Sequence, residues 1–529
     1  MKNKFIYLAV LAAGFASCEP EFENEVNAEY SAGDADFSSY VAVGNSLTAG
    51  YMDGTVSRGS QANSFPNLLA QQFALVGGGV FTQPSYADDV NNLGGLMLGG
   101  AIIDYGTGVN QFKTRLVIDA SEGRPENIAG TSTIDVSAQQ FMAYNNMGVP
   151  GAKSFHLLVP GYGNLAGVQL GLSNPYFARH ATSASATVLG DAVSKNPTFF
   201  TNWIGANDVL SYATTGGVGV DRTGNPNIAA YGTNDITDPS AFEFHYNLII
   251  NGGVHPSFGT VVGLAQNGAK GVVATIPSVT SIPYFTTVPY NALPAEATAS
   301  NVSALQLYGF LAQVTGGRIS TLSTTPGTKN PVLINDETLS DLSATISGAA
   351  STIPTLAPYA TALGQLYGRA RQATSNDLIL LPASGKIGQP NPLGTAPFNV
   401  NGVSFPLQDG DVLIPSEKTA IANATTAYNN SIRNIAAARN LAVVDMNAIM
   451  NQLVTGLRIE TGQFYTANYF SGSATEGTVL FSLDGVHPNA RGYAVIANEI
   501  IKVINRHYNA NIPLHHPSYF PGINIVGSN

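Results

Sequence analysis

Five residues in four short blocks of the chain have side chains or backbone groups suited to nucleophilic chemistry. Ser46 ends the apolar run YVAVGNS, Gly151 lies in GVPGAKS, and Asn207 lies in WIGAND. Asp484 and His487 stand three residues apart in DGVHPNARGY. A serine hydroxyl is a weak nucleophile alone, because it needs a base, an acceptor that fixes the tautomer of the base, and donors for an oxyanion. Together these residues can fill all of those roles.

Each block taken singly also has an ordinary structural interpretation. A serine after glycine at the end of a strand is commonly a turn or cap residue. Gly151 after Pro150 fits a tight turn. The histidine of a lone D-x-x-H segment is commonly a capping or packing residue. The combination and its order are therefore more informative than any single block.

The order Ser, Gly, Asn, Asp-x-x-His resembles the SGNH, or GDSL-type, hydrolase family, which is named for those four residues. The resemblance implies a flavodoxin-like three-layer α/β/α sandwich and hydrolysis of carboxylic esters through an acyl-enzyme. It implies that Ser46 is the nucleophile, that His487 is the base and then the acid, and that Asp484 orients His487. It also implies an oxyanion hole made by the N–H groups of Ser46 and Gly151 and the side-chain amide of Asn207.

Two features depart from the family pattern. The first block of the family usually reads G-D-S, whereas Asn45 stands here in place of the aspartate. Ser46 and His487 are also much farther apart in the chain than a compact member requires. One site built from both ends of the chain predicts a single domain, 38–529, with large insertions.

The elements expected to position these residues are short apolar runs followed by helical patterns. Near-continuous apolar runs are typical of strands buried on both faces of a parallel sheet. We expect such strands within 40–43, 198–204, 271–276 and 441–445, and helices over about 416–440 and 489–506. This pattern predicts an α/β fold with right-handed crossovers. Segments that a minimal sheet does not need are interpreted as insertions that form a cap, at about 76–140, 154–195 and 282–412.

The N-terminus is predicted to be an export signal. Two lysines precede an uncharged, mostly apolar run that is too short to span a membrane, and Cys18 follows Ala16 and Ser17. This arrangement resembles the lipobox of bacterial lipoproteins, although Phe15 replaces the usual aliphatic residue. We therefore expect a signal peptide at 1–17, a lipidated Cys18 and an acidic tether at 18–37, and the alternative is an ordinary secretory signal.

Composition and histidine spacing argue against several other classes of protein. The formal net charge of −11 disfavours nucleic-acid binding, and Cys18, the only cysteine, allows no intrachain disulfide. The other histidines show no metal-ligand spacing, and no dinucleotide or phosphate-loop fingerprint occurs, so no metal or cofactor is expected. The absence of G-x-S-x-G disfavours an α/β-hydrolase fold as the host of Ser46.

The leading prediction is a lipid-anchored ester hydrolase of the cell envelope, on the outer membrane. The sequence leaves open whether it faces the periplasm or the cell surface. Its substrate is predicted to be a small-molecule, lipid or glycan ester, so that lipase-like cleavage and glycan deacetylation are both open. The apolar side chains of SIPYFTTVPY either line an acyl pocket or pack the cap onto the sheet: Ile282, Tyr284, Phe285 and Tyr290. The alternative function is a non-catalytic surface lipoprotein that binds glycan or another envelope component.

Overall fold

The centre of the molecule is a five-stranded parallel sheet. The computed structural model describes residues 29–299, 302–468 and 476–527. The strands of the sheet are β1 Tyr40–Gly44, β2 Asn146–Gly148, β3 Phe199–Trp203, β4 Lys270–Ala274 and β5 Ala442–Val444. Their spatial order is β2–β1–β3–β4–β5. This is the flavodoxin-like order, in which ligands bind at the carboxyl edge between the first and third strands.

Helices cover both faces of the sheet. The helices that we label are α1 Ser46–Ala49, α2 Phe65–Ala74, α3 Asn207–Thr214, α4 Pro239–Asn251, α5 Pro415–Ala438, α6 Met446–Thr455 and α7 Ala490–His507. Successive strand residues point to opposite faces. Val41 and Val43 therefore pack in one core with residues of α3, α4 and α5, whereas Tyr40 and Ala42 pack in a second core with residues of α2 and α7. The expected α/β fold with three layers is confirmed.

The positions of four strands agree with the apolar runs in the sequence. β1, β3, β4 and β5 each overlap one of those runs, and the predicted helices correspond to α5 and α7. The sequence analysis missed β2. This strand has only three residues, and polar bonds hold its start: the Asn145 side chain donates to the Tyr40 carbonyl oxygen, and the Asn146 side chain donates to that of Thr48. A periodicity argument cannot detect so short a strand.

The segment predicted as the largest insertion has a hydrophobic core of its own. Buried residues from Val288 to Ile414 form one cluster, separate from the two cores that flank the sheet. The helices within it are Pro283–Thr286, Ala295–Ala299, Val302–Val314, Ser343–Ser351 and Ala360–Tyr367. Three antiparallel strand pairs accompany these helices: Leu293–Pro294 with Lys329–Asn330, Leu333–Asn335 with Ala370–Gln372, and Leu378–Ile379 with Val412–Leu413.

Shorter elements lie outside the sheet and that segment. Leu116–Asp119 pairs with Arg124–Asn127 and, in parallel, with Ile525–Val526. The remaining pairs are Met97–Leu98 with Ala101–Ile102, Gly253–His255 with Gly259–Val261, and Leu457–Arg458 with Phe464–Tyr465. Within the described residues, the remaining α-helices are Arg58–Ala62, Pro175–Ala178 and Val188–Val193.

The packed part of the chain begins before residue 38. Ala35 and Phe37, which the sequence analysis assigned to the tether, are buried, and Ser31 bridges to Asn511 near the C-terminus. The signal segment, Cys18 and residues up to 28 lie outside the described residues. Among the helices that the structure describes, none combines the length and the apolar character needed to cross a membrane.

Candidate active site

Ser46 lies at the switch point of the sheet, where β1 ends and α1 begins. Asn45 is the N-cap of α1, and its side-chain oxygen accepts a hydrogen bond from the Leu47 N–H at 3.0 Å. The helix lies so close to the end of the sheet that a Cβ added to Gly44 would come within 2.1 Å of the Thr48 hydroxyl oxygen. Ser46 is the first residue of the helix, so its own N–H has no acceptor within the helix. The sequence G-N-S thus provides close packing, a cap and a serine at the sheet edge.

His487 joins Ser46 to Asp484. The Ser46 hydroxyl lies 2.8 Å from His487 Nε2, and His487 Nδ1 lies 3.0 Å from Asp484 Oδ2. An ionised carboxylate only accepts hydrogen bonds, so Nδ1 carries the proton and Nε2 is free to accept from the serine. Two residues that are 441 positions apart in the chain therefore meet within hydrogen-bond distance. The predicted serine, base and acid are brought together.

Asp484 is held ionised by its surroundings. Its Oδ1 accepts the backbone N–H groups of Val486 and His487, both at 2.8 Å, and its Oδ2 also accepts the Gly54 N–H at 3.1 Å. Burial alone would raise the pKa of Asp484. The charge of His487 and these hydrogen bonds outweigh burial and hold the pKa below its ordinary value. The acid therefore stays available as an acceptor for His487 near neutral pH.

Two residues that the sequence analysis did not single out support this arrangement. The ring of Tyr51 lies against the imidazole of His487, with 4.6 Å between centroids. Asp53 accepts the Leu483 N–H at 2.9 Å and donates its own N–H to the Ser482 hydroxyl at 3.1 Å. Burial raises the pKa of Asp53 to about 7, and the charge of Asp484 adds to the shift. The turn after α1 is thus tied to the loop that carries Asp484 and His487.

The predicted oxyanion donors come from neighbouring elements. Asn207 is the first residue of α3, and its side-chain amide donates one hydrogen to the Ala152 carbonyl oxygen at 2.9 Å. A side-chain amide has two N–H donors, so one remains for a ligand. Gly151 adopts a positive φ of 80° in the turn after β2, which suits glycine. Asp208 fixes this turn by accepting the N–H and the hydroxyl of Ser154, both at 2.8 Å.

Ser46, His487 and Asn207 line one cavity of about 50 Å³, and Gly151 does not line it. Gly151 lies instead next to Ala152, the residue that Asn207 contacts. The structure therefore brings Asn207 to the serine and the histidine, and connects Gly151 to the site through the turn. The rest of the cavity wall is mostly apolar: Leu47, Ala206, Leu210, Pro277, Val279, Ile282 and Val486.

The insertion at 282–412 contacts the loop that carries Asp484 and His487. The Tyr284 N–H donates to the Gly485 carbonyl oxygen at 2.8 Å, and a Cβ added to Gly485 would meet the Leu381 side chain. Of the four side chains considered for an acyl pocket, Ile282 lines the site cavity, and Tyr284 lines a wider groove that reaches Asp484. Phe285 and Tyr290 pack in the cores. Two of these side chains thus line cavities at the site and two pack in the cores, and an acyl-binding role for Ile282 and Tyr284 stays a prediction.

Acidic residues outside the site could attract a cation. Among the described residues, the one group of three ligand-type side chains close enough to share an ion is Glu337, Asp409 and Glu417. Burial raises the pKa of Glu417 to about 8, so this carboxyl keeps its proton near neutral pH, and raises that of Asp409 to about 6. None of the three lines the site cavity.

Comparison with known proteins relates one part of the chain to a family. No curated protein and no solved structure matches the chain. Residues 340–500 match a family model. This segment contains Asp484 and His487, and Ser46, Gly151 and Asn207 precede it in the chain. Residues 340–500 match the GDSL-like lipase/acylhydrolase family, which supports an acylhydrolase function on the α/β fold described above.

Proposed function

We propose that this chain is a serine ester hydrolase of the SGNH type, which forms an acyl-enzyme on Ser46. The observation that carries the proposal is the 2.8 Å contact between the Ser46 hydroxyl and His487 Nε2, with Asp484 on the other ring nitrogen. Nucleophile, base and orienting acid lie in the relation that acyl transfer requires. The family match over 340–500 supports the same class of reaction.

The first half of the reaction transfers the acyl group to the enzyme. His487 Nε2 takes the proton of the Ser46 hydroxyl as the serine oxygen bonds to the ester carbonyl carbon. The oxyanion that forms accepts from the Ser46 N–H and the remaining Asn207 N–H, with the Gly151 N–H at the adjoining turn. The C–O bond to the alcohol then breaks, and His487 gives its proton to the leaving alcohol oxygen.

The second half releases the carboxylic acid. A water molecule gives a proton to His487 and attacks the acyl carbon, and His487 then returns that proton to the Ser46 oxygen as the acyl bond breaks. Asp484 stabilises the imidazolium in both halves. Tyr51, packed on the imidazole, limits rotation of the ring away from Ser46.

The function is tested by hydrolysis of p-nitrophenyl esters with a protein that begins near Ala28. We expect turnover by the wild type and a loss of at least about 10⁴-fold for Ser46→Ala. Ser60→Ala is a matched control, since Ser60 is also buried but lies on the helix Arg58–Ala62, away from the site cavity. Equal, buffer-level rates for all three folded proteins would favour the non-catalytic binding function and contradict the proposal.

We further propose that the protein is a cell-envelope lipoprotein acylated at Cys18, on an outer membrane. The support is the run of apolar residues before Cys18 and the acidic segment after it. Metabolic labelling with a palmitate analogue should mark the wild type and not Cys18→Ala. Recovery of labelled Cys18→Ala would contradict lipidation at this residue.

A further inference from the structure

A second, larger cavity lies beside the site cavity. It has a volume of about 110 Å³ and lies among the end of β3, the helices α6 and α7, and the loops that follow β4 and precede α7. Its wall contains no charged side chain and no hydroxyl or amide side chain. The lining residues on which the argument depends are Leu47, Trp203, Pro277, Ile282, Met450 and Val486.

The two cavities share a wall next to the reacting groups. Leu47, Pro277, Ile282 and Val486 line both of them. Leu47 directly follows Ser46, and Val486 directly precedes His487 in the chain. The two cavities are therefore separated only by apolar residues, and two of these adjoin Ser46 and His487 in the chain.

An apolar wall of this kind selects its ligand by chemistry. Apolar cavities stay dry and bind apolar groups, as an engineered cavity of 150 Å³ does with benzene. A sugar would lose its hydrogen bonds to water here and find the Trp203 indole N–H as the only side-chain donor among the lining residues. Burying its remaining unpaired hydroxyls is unfavourable. An acetyl group is too short to reach past Leu47 and Val486, so it would leave the cavity unused.

We propose that this cavity binds the acyl chain of the ester substrate and makes the enzyme prefer linear acyl groups of about six to eight carbons over acetyl. The chain length follows from the volumes. The site cavity of about 50 Å³ and this cavity of about 110 Å³ together are close in volume to the cavity of about 150 Å³ that binds benzene, a molecule of six carbons. The assignment rests on the proposed ester hydrolysis, and it names the substrate class. It favours fatty acyl esters over acetylated glycans.

The first test is the dependence of kcat/KM on acyl length in a p-nitrophenyl ester series from acetyl to dodecanoyl. Each methylene that enters the cavity should raise kcat/KM about fourfold, up to the length that fills it. Met450→Phe, which narrows the cavity from α6, should lower the octanoyl-to-acetyl ratio at least tenfold. Val454→Phe is the matched control, because Val454 lies on the same helix, does not line the cavity and is exposed.

The second test reads binding without turnover. Trp203 lines the cavity and is the only tryptophan in the chain, so its fluorescence reports on what enters. Octanoate should change the fluorescence of Ser46→Ala saturably, and acetate should not. Met450→Phe in that background should weaken octanoate binding at least tenfold. If Met450→Phe does not fold, Met450→Ala should move the preferred acyl length upward by one or two carbons.

The outcomes separate the two proposals. Turnover of esters with a preference for acetyl, together with no response of Trp203 to octanoate, would overturn the acyl-cavity assignment and leave the hydrolase function standing. No turnover of any ester by the folded wild type would refute the proposed function, and this assignment with it. A preference for medium chains that Met450→Phe and Val454→Phe alter equally would also overturn the assignment.

Discussion

Replacing Asp484 with asparagine should reverse the tautomer of His487, and the consequence can be derived from the hydrogen bonds. Oδ1 of Asp484 accepts two backbone N–H groups, and Oδ2 accepts the Gly54 N–H and the His487 ring. An asparagine would keep its oxygen on the two backbone donors and direct its NH₂ group toward His487. His487 Nδ1 must then accept, so the ring proton moves to Nε2 and faces the Ser46 oxygen. The base at Nε2 is lost.

The expected cost of Asp484→Asn is a fall in kcat of about 10⁴, with little change in KM. Stability should also fall by about 1–3 kcal/mol, because the Gly54 N–H loses its acceptor. Asp191→Asn is the matched control, since Asp191 is a buried carboxyl that accepts the Thr182 N–H and hydroxyl and does not line the site cavity. Steady-state kinetics on one p-nitrophenyl ester and a denaturant melt measure both effects. A loss of less than tenfold in kcat for folded Asp484→Asn would refute the tautomer argument.

Three further predictions follow from single contacts. Asn207→Ala should lower kcat by about 10² to 10³ with KM nearly unchanged, and a pure KM effect in steady-state kinetics would show that the amide does not stabilise the oxyanion. Asn45→Ala should lower the free energy of unfolding by about 0.5–2 kcal/mol, whereas Asn45→Asp should preserve the cap; equal stability of Asn45→Ala and the wild type in urea would contradict the capping role. Burial raises the pKa of Asp53 to about 7, so the folded protein keeps a proton that the unfolded chain releases near pH 4. The free energy of unfolding should therefore fall as pH rises from about 4 to 7. Asp53→Asn should flatten this slope in melts across that range, and an unchanged slope would contradict the assignment.

The sequence predicted the sheet well where its strands are continuous apolar runs. β1 and β3 are buried throughout, and β4 and β5 are buried except for exposed Lys270 and half-buried Val443, so composition alone marks these strands. β2 is a short strand whose start is held by asparagine side chains, and no local pattern identifies it. The fold of the segment 288–414 could not be predicted from the sequence either, because its core joins many short elements that share no hydrophobic periodicity.

The site shows the same contrast. Ser46, Asp484, His487 and Asn207 could be singled out because the order of their short blocks resembles that of a known family, although no block is informative alone. Tyr51 had no such signal, since its contact with His487 depends on how the turn after α1 meets a loop more than 400 residues away. The apolar cavity could not be predicted from the sequence for the same reason. Its wall combines residues from widely separated parts of the chain, each of which is an ordinary core residue in sequence.

The most direct test of the central claim is covalent labelling of Ser46. A fluorophosphonate probe reacts with an activated serine oxygen, so intact-protein mass spectrometry should show one adduct on the wild type, and peptide mapping should place it on Ser46. Ser46→Ala should take up no probe, and His487→Ala should react far more slowly. A folded wild type that takes up no probe, or that carries the adduct on another residue, would contradict the account.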